Sequence, residues 1–294
     1  MRSRSHQSLV LLRLLGLVTT GCLATWNGVL AQAPPTALVG QEGKDVPWVP
    51  TPDVLVETML DMAGVTADDL VMDLGSGDGR TVVAAARRGA RAIGVELASN
   101  LVEMSNQLAR NAGVSDRADF RVADLFEVDL SPATVITLFL LPDINYRLRP
   151  TLFNLRPGTR IVSNTWDLSG SDTDPDAPGW TPDDTTVLDP CPTWCTSHLW
   201  IVPAKVEGVW RVPGGELHLE QEFQQLGGFL VTPDGRTAIE SGRLRGNEIQ
   251  LRIGPTSFRG RVAPANTTDT ATVMSGTARS SADARHWHGE RVQP

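Results

Sequence analysis

The sequence predicts a doubly wound α/β sheet followed by a small antiparallel all-β domain. Three observations predict it. From about residue 45 to residue 203, short apolar segments alternate with segments of helical period, the grammar of βα units. One apolar segment, TVITLFLLP, runs unbroken, as a strand buried on both faces does. After residue 204 the helical period stops, and short segments follow one another across the turns PGG, PDG, RGN and IGP. At 294 residues and 41% hydrophobic, the chain can bury two modest cores.

Residues 1–31 read as a cleaved leader outside the fold. MRSRSHQ is basic, SLVLLRLLGLVTTGCLATW is mostly apolar, and VLAQA offers small residues at cleavage spacing, with Ala31 favoured over Ala33. An uncleaved anchor is disfavoured because Arg13 and Asn27 interrupt the apolar span. TTGC, ending at Cys22, is a weak lipoprotein-type match. The leader implies an exported, periplasmic protein, with membrane anchoring or a cytoplasmic protein as alternatives. Residues 32–44 form a linker, 45–203 the α/β domain and 204–294 the β-domain.

In the α/β domain, Thr51 and Pro52 open a helix, PDVLVETMLDMAG, whose apolar side is Val54, Leu55, Met59 and Met62. LVMDL is a strand ending in an acid, and GRTVVAAARRG a helix stopped by Gly89. RAIGVEL is the next strand, and Ser99 caps the helix after it. ADFRVADLF, TVITLFLLP and RIVSNTW are further strands, with the helix DINYRLRPTLFN before the last. Residues 167–196 read as a long loop over the strand ends, and HLWIVPA as a closing strand. The β-domain segments are ELHLEQEF, GFLVT, RTAIESGRLR, NEIQLRI, TSFRGRVA, TATVMSGTAR and RHWHGERV. They suit a compact barrel or sandwich, too short for a long-stranded barrel.

VMDLGSGDGR carries the chemistry. A dinucleotide loop requires G-x-G-x-x-G, but here the third glycine, Gly79, follows Gly75 and Gly77 one residue early. That spacing, with Asp73 at the strand end, speaks against a nicotinamide dehydrogenase, because the acid would repel a pyrophosphate. S-adenosylmethionine carries an ammonium, a sulfonium and a carboxylate, so an acid suits its cationic groups. Glycines let backbone approach the ligand. Glu96, about 20 residues on, suits ribose hydroxyls. Asp124 suits an adenine amino group, with Leu125 on the ring face. Leu74, Ser76, Asp78 and Leu97 complete the expected cofactor set, with Asp78 suiting either the ligand's amino-acid end or the start of the following helix.

Through DLGSGDGR, GVEL and ADLF, residues 45–203 resemble the class I S-adenosylmethionine-dependent methyltransferases, which implies a Rossmann-like sheet. WVPTP, LPDINYRLRP and WTPD are similar to a narrower group, with bacterial relatives, that methylates lysines of mitochondrial carriers and of the ATP synthase c-ring protein. That resemblance implies that Pro50 and Thr51 close over the cofactor. It also implies a protein substrate, membrane-associated as in that group, whose lysine lies near the loop with Trp166 and Trp180. Trp166, with Asp167 as orienter, is the expected catalytic pair. The Asn/Asp-Pro-Pro motif of other amine methyltransferases is absent; Leu141-Pro142-Asp143 stands in its place. The leader, CPTWC and the β-domain depart from the mitochondrial group. They raise a second reading, a non-catalytic S-adenosylmethionine-binding protein whose β-domain docks a partner.

Other features point to plainer roles. Net charge is −8 without a long basic run, which speaks against a nucleic-acid footprint. Cys191 and Cys195 suit a disulfide or free thiols better than a metal site with His198. His286 and His288 share a strand face, read as solvated. Arg243, Arg245, Arg252, Arg259 and Arg261 form a basic stripe, a solvated face or a docking surface for an acidic partner. No metal is expected, and oligomeric state is not encoded in any of these features.

Overall fold

The computed structural model describes residues 48–170, 178–190, 193–263, 272–280 and 283–292. The leader 1–31, the linker 32–44 and Cys191 lie outside them. The α/β domain contains strands β1 (Leu70–Leu74), β2 (Arg91–Glu96), β3 (Ala118–Val122), β4 (Val135–Leu138), β5 (Arg160–Asn164), β6 (Asp184–Val187) and β7 (Thr196–Ile201). Its helices are α1 (Asp53–Met62), α2 (Arg80–Arg87), α3 (Ser99–Ala112) and α4 (Pro142–Phe153). The sheet order is β3-β2-β1-β4-β5-β7-β6. β1 to β5 run parallel, and β7 is antiparallel to both its neighbours.

Alternation along the strands builds two cores, one on each face. Val71, Val135, Val162 and Leu199 join α1, α2 and α3 on one face. Met72, Ile136, Ile161 and Trp200 join α4 on the other. All four residues of β4 are buried, as its unbroken apolar run predicts. The doubly wound fold class is therefore observed.

Local details differ from expectation. α1 buries Leu55, Val56, Met59 and Leu60, while Val54 is exposed. The helix packs against β5, β7 and α2, which turns the 56/60 ridge inward. Thr51 and Ser99 do not cap; the N-caps are Pro52 and Ala98, without side-chain bonds. Thr51 instead accepts a hydrogen bond from Asn164 Nδ2 (3.3 Å). The expected 167–196 loop contains β6 and a bridge between Leu168 and Trp180. β6 is a polar edge strand, DTTV, so no apolar alternation announces it.

The β-domain is a closed barrel of eight strands: β8 (Gly208–Val212), β9 (Gly215–Glu222), β10 (Gln225–Thr232), β11 (Gly235–Arg245), β12 (Glu248–Ile253), β13 (Thr256–Val262), β14 (Val273–Arg279) and β15 (Ala284–Arg291). The strand missing from the sequence reading is GVWRV, which closes the ring by pairing with β15. Five- to eleven-residue strands suffice because side chains fill the interior. Trp210, Leu244, Ile249, Met274 and Trp287 are among them. A Cβ at Gly276 would lie 2.0 Å from the Arg259 carbonyl oxygen, so the paired strands β13 and β14 approach this closely there only because of glycine.

The barrel seats on the edge of the sheet opposite the glycine loop. Trp180 is fully buried and stacks on Phe223 of the β9–β10 turn (5.7 Å), with Phe153 at the end of α4 edge-on to both. Gln224 Nε2 donates to Thr181 O (2.5 Å), and Arg243 pairs with Asp183 (2.8 Å). Lys205 enters the barrel with its Nζ donating to Phe153 O (2.9 Å).

Burial pushes the Lys205 ammonium down to about 7 from its ordinary 10.5. Both folded and unfolded chains hold the proton below that point; between it and 10.5 only the unfolded chain does. Stability contributed by this site therefore rises with pH across that window. Thermal unfolding should show wild type gaining on Lys205→Met between about pH 7 and about pH 10. Parallel curves for the two proteins would contradict it.

Candidate active site

The glycine loop hangs from the end of β2. Gly75 N and Ser76 N both donate to Val95 O (2.9 and 3.0 Å). Gly75 and Gly77 take left-handed φ of 76° and 54°. A Cβ at Gly77 would lie 2.5 Å from Trp48 Nε1, so the loop is a cradle that only glycine leaves open. Glu96 closes the other side. Its Oε2 accepts from Gly77 N (3.1 Å) and its Oε1 from Ala98 N (2.9 Å). Ser105, from α3, donates to Gly77 O (2.9 Å).

Pro50, Thr51, Asp73, Gly75, Ser76, Gly77 and Asp78 line one open cleft. Leu74 lies in the core, leaving its backbone to face the loop. Leu97 follows Glu96 at the end of β2. Asp124 and Leu125 stand on the turn after β3, outside the lining of that cleft. The turn is joined to β2 by Ala123 N donating to Glu96 O (3.1 Å). Asp124 Oδ1 accepts from Phe126 N (2.8 Å), and Leu125 packs on the α4-side core.

Two acids in the loop differ in electrostatics. Asp73 is 7% exposed and accepts from Thr137 Oγ1 of β4 (2.6 Å). Burial pushes its carboxyl up to about 7; the charges of Asp78 and Glu96 add to this, and hydrogen bonds from Thr137 and Thr81 oppose it. Asp78 is instead clasped by Arg80, Nη2 to Oδ2 at 2.7 Å. Arg80 also donates to Thr51 O (3.0 Å), which ties the Pro50–Thr51 segment to the glycine loop. Sequence reasoning passed over Arg80 and Thr137; the arginine in GDGR was the only local signal for either.

A chain of aromatic rings at the ends of β4, β5 and β7 meets the cleft at Phe139. Phe139 lines it. Trp194 meets Phe139 edge-on (5.8 Å) and Trp166 at 6.2 Å. The Trp166 carbonyl accepts from Ser163 Oγ (2.5 Å) and Asn145 Nδ2 (3.3 Å). Asp167 Oδ1 accepts from Ser169 N (3.0 Å) and from Ser169 Oγ, so this carboxylate closes its own turn. Trp180 is not at the entrance: it is buried against the barrel, where Trp200 Nε1 donates to its carbonyl (2.7 Å).

Cys195 is disulfide-bonded, which removes it as a metal ligand. His198 Nδ1 is within 3.0 Å of Thr185 Oγ1. Among the described residues no group of three or more His, Cys, Asp or Glu side chains could hold a metal ion. His286 and His288 are exposed on β15. In the arginine stripe, Arg252 pairs with Glu240, Arg261 with Glu248 and Arg243 with Asp183.

Residues 73–175 match the family model described as the ANTKMT methyltransferase domain. A protein-lysine N-methyltransferase of Saccharolobus islandicus is 43% identical over 128 residues, 42% of this chain and 80% of that protein. The human lysine N-methyltransferase that acts on the ATP synthase c-subunit is 32% identical over 173 residues, 58% of this chain and 70% of that protein. A solved RNA methyltransferase from Salinibacter ruber, in complex with S-adenosyl-L-homocysteine, is 44% identical across 54% of this chain and 96% of its own, with a TM-score of 0.48. The cleft, the acids at successive strand ends and the two lysine methyltransferase relatives agree: the chain belongs to the ANTKMT-type family of S-adenosylmethionine-dependent methyltransferases.

Proposed function

We propose that this methyltransferase N-methylates a lysine of a protein substrate. The observation that carries the reading is the aromatic chain that starts at Phe139 in the cleft lining and runs through Trp194 to Trp166. The names of the archaeal and human relatives support it. An amine acceptor must shed a proton before it attacks, and an apolar, aromatic surround lowers its pKa by desolvation. A membrane-associated protein is the favoured class of substrate, on the likeness of WVPTP, LPDINYRLRP and WTPD to the mitochondrial group.

The residues fit S-adenosylmethionine, which when bound supplies an electrophilic methyl group on a sulfonium. In this proposal Gly75 and Gly77 admit its amino-acid end, and Asp73 balances its cationic charge. Glu96, already oriented by two backbone N–H groups, accepts from the ribose. Asp124 and Leu125 hold the adenine. Pro50 and Thr51, tied down by Arg80, cover the site. Trp166 borders the acceptor, and Asp167 acts by closing the turn that presents it. Positioning the amine in line with the methyl group supplies most of the acceleration. Export of the chain is part of the proposal, supported by the leader pattern and the disulfide-bonded Cys195. Sequencing the N-terminus of the protein from its native compartment tests that part, and a retained leader overturns it.

Incubating the purified enzyme with labelled S-adenosylmethionine and membrane-protein extract should place label on lysine, located by mass spectrometry; label confined to other residues would refute the reading. Asp73 is largely protonated below about pH 7 and must ionise to face a cation. Cofactor affinity, read by calorimetry, should therefore rise by up to roughly tenfold per pH unit towards about 7 and then level. Asp73→Asn should flatten that profile. Gly77→Ala, which combines a left-handed φ with a clash, should weaken cofactor binding roughly tenfold or more.

A further inference from the structure

We infer that Trp194, anchored by the disulfide at Cys195, forms the outer wall of an aromatic site for the acceptor amine and its methylated ammonium products. This rests on the lysine reading above and adds to it a residue from the CPTWC segment.

Three features of Trp194 converge. It is 38% exposed, among the large apolar side chains left facing solvent. Its φ of 57° is left-handed, a conformation unfavourable for a bulky residue that persists only where surroundings impose it. The next residue, Cys195, is disulfide-bonded, and its carbonyl accepts from Leu188 N (2.9 Å). The chain is thus clamped immediately after the strained residue, and the strain serves to hold an indole outward.

Position then assigns the role. Phe139 lies at the end of β4, Trp166 just after β5, and Trp194 just before the antiparallel β7, so all three rings gather at one edge of the sheet. Thr165, also left-handed at φ 63°, donates its N–H to Thr196 O (2.8 Å), locking the Trp166 turn to the segment bearing Trp194. Cofactor-side acids occupy the ends of β1, β2 and β3, which leaves the β4–β5–β7 side for the acceptor. Aromatic faces attract an ammonium and favour it over a neutral group of the same shape. They also exclude water from the amine that must deprotonate. A carboxylate or phosphate acceptor would gain nothing from such a wall.

The test uses the full-length oxidised enzyme and two probes. Tetramethylammonium should quench tryptophan fluorescence and compete with the acceptor but not with the cofactor; neutral 3,3-dimethylbutanol should do neither. Trp194→Ala should abolish that quenching and raise the KM for the labelled acceptor roughly tenfold, leaving S-adenosylhomocysteine affinity within about twofold of wild type. Trp194→Phe should recover most of the loss. Reduction with a phosphine, which takes the disulfide to two thiols and the phosphine, with water, to its oxide, should raise KM in wild type and not in Trp194→Ala, with recovery on reoxidation. Wild-type KM and quenching in Trp194→Ala would overturn the inference, as would insensitivity to reduction. If no lysine is labelled, the lysine reading fails, and tetramethylammonium binding still decides whether Trp194 forms a cation site.

Discussion

The α/β domain is organised around a carboxylate buried without a cation in contact among the described residues. Asp73 ends β1 inside the protein, and neutral hydroxyls serve it: Thr137 from the neighbouring strand and Thr81 from α2. Burying a charge this way is costly, and the group responds by favouring its neutral form. The arginine that follows the loop, Arg80, is engaged by Asp78, Asp53 and the Thr51 carbonyl. The opposite end of the same strand makes the contrast. There burial would push Asp69 up, but bonds from Thr66, Thr134 and Arg160, with the guanidinium charge, hold it below the usual range. One end of β1 is met by a guanidinium; the other is met by hydroxyls.

What the sequence revealed follows from how local each signal is. Asp73, Glu96 and the glycines were legible because strand ends and tight turns impose residue types at fixed spacing, independent of distant partners. β4 was legible because a strand covered on both faces is apolar nearly throughout; its one hydroxyl, Thr137, is buried and donates to Asp73. β6 and β8 were not, since a polar edge strand and a five-residue closing strand carry too little alternation. Trp180 was misplaced for another reason. A tryptophan in a polar, proline-rich loop reads as exposed, and only the barrel, an element from elsewhere in the chain, gives it Phe223 to stack on. Thr51 and Ser99 have the right identity for caps, but tertiary bonds and loop geometry outcompeted that local preference.

The barrel lies beyond the stretch matched by the family model and touches the sheet at the end away from the glycine loop. The cleft is accordingly lined by the α/β domain. Its junction is built from groups that need one another: an aromatic stack, a buried Gln224 amide and an arginine–aspartate pair whose Asp183 side chain is fully covered. Removing Arg243 would leave the covered Asp183 carboxylate without its guanidinium partner, whereas the half-exposed Arg243 would still meet solvent if Asp183 were removed.

Lys205 has a wider meaning at that junction. Of 26 basic residues, 24 are arginines; Lys44 and Lys205 are the only lysines. Lys205 has its amine turned inward onto the Phe153 carbonyl and ring. Arginine carries the positive surface of this protein, and a guanidinium is not an acceptor for chemistry aimed at primary amines. The enzyme is thereby nearly transparent to its own proposed reaction: copies meeting at high concentration offer one another almost nothing to modify.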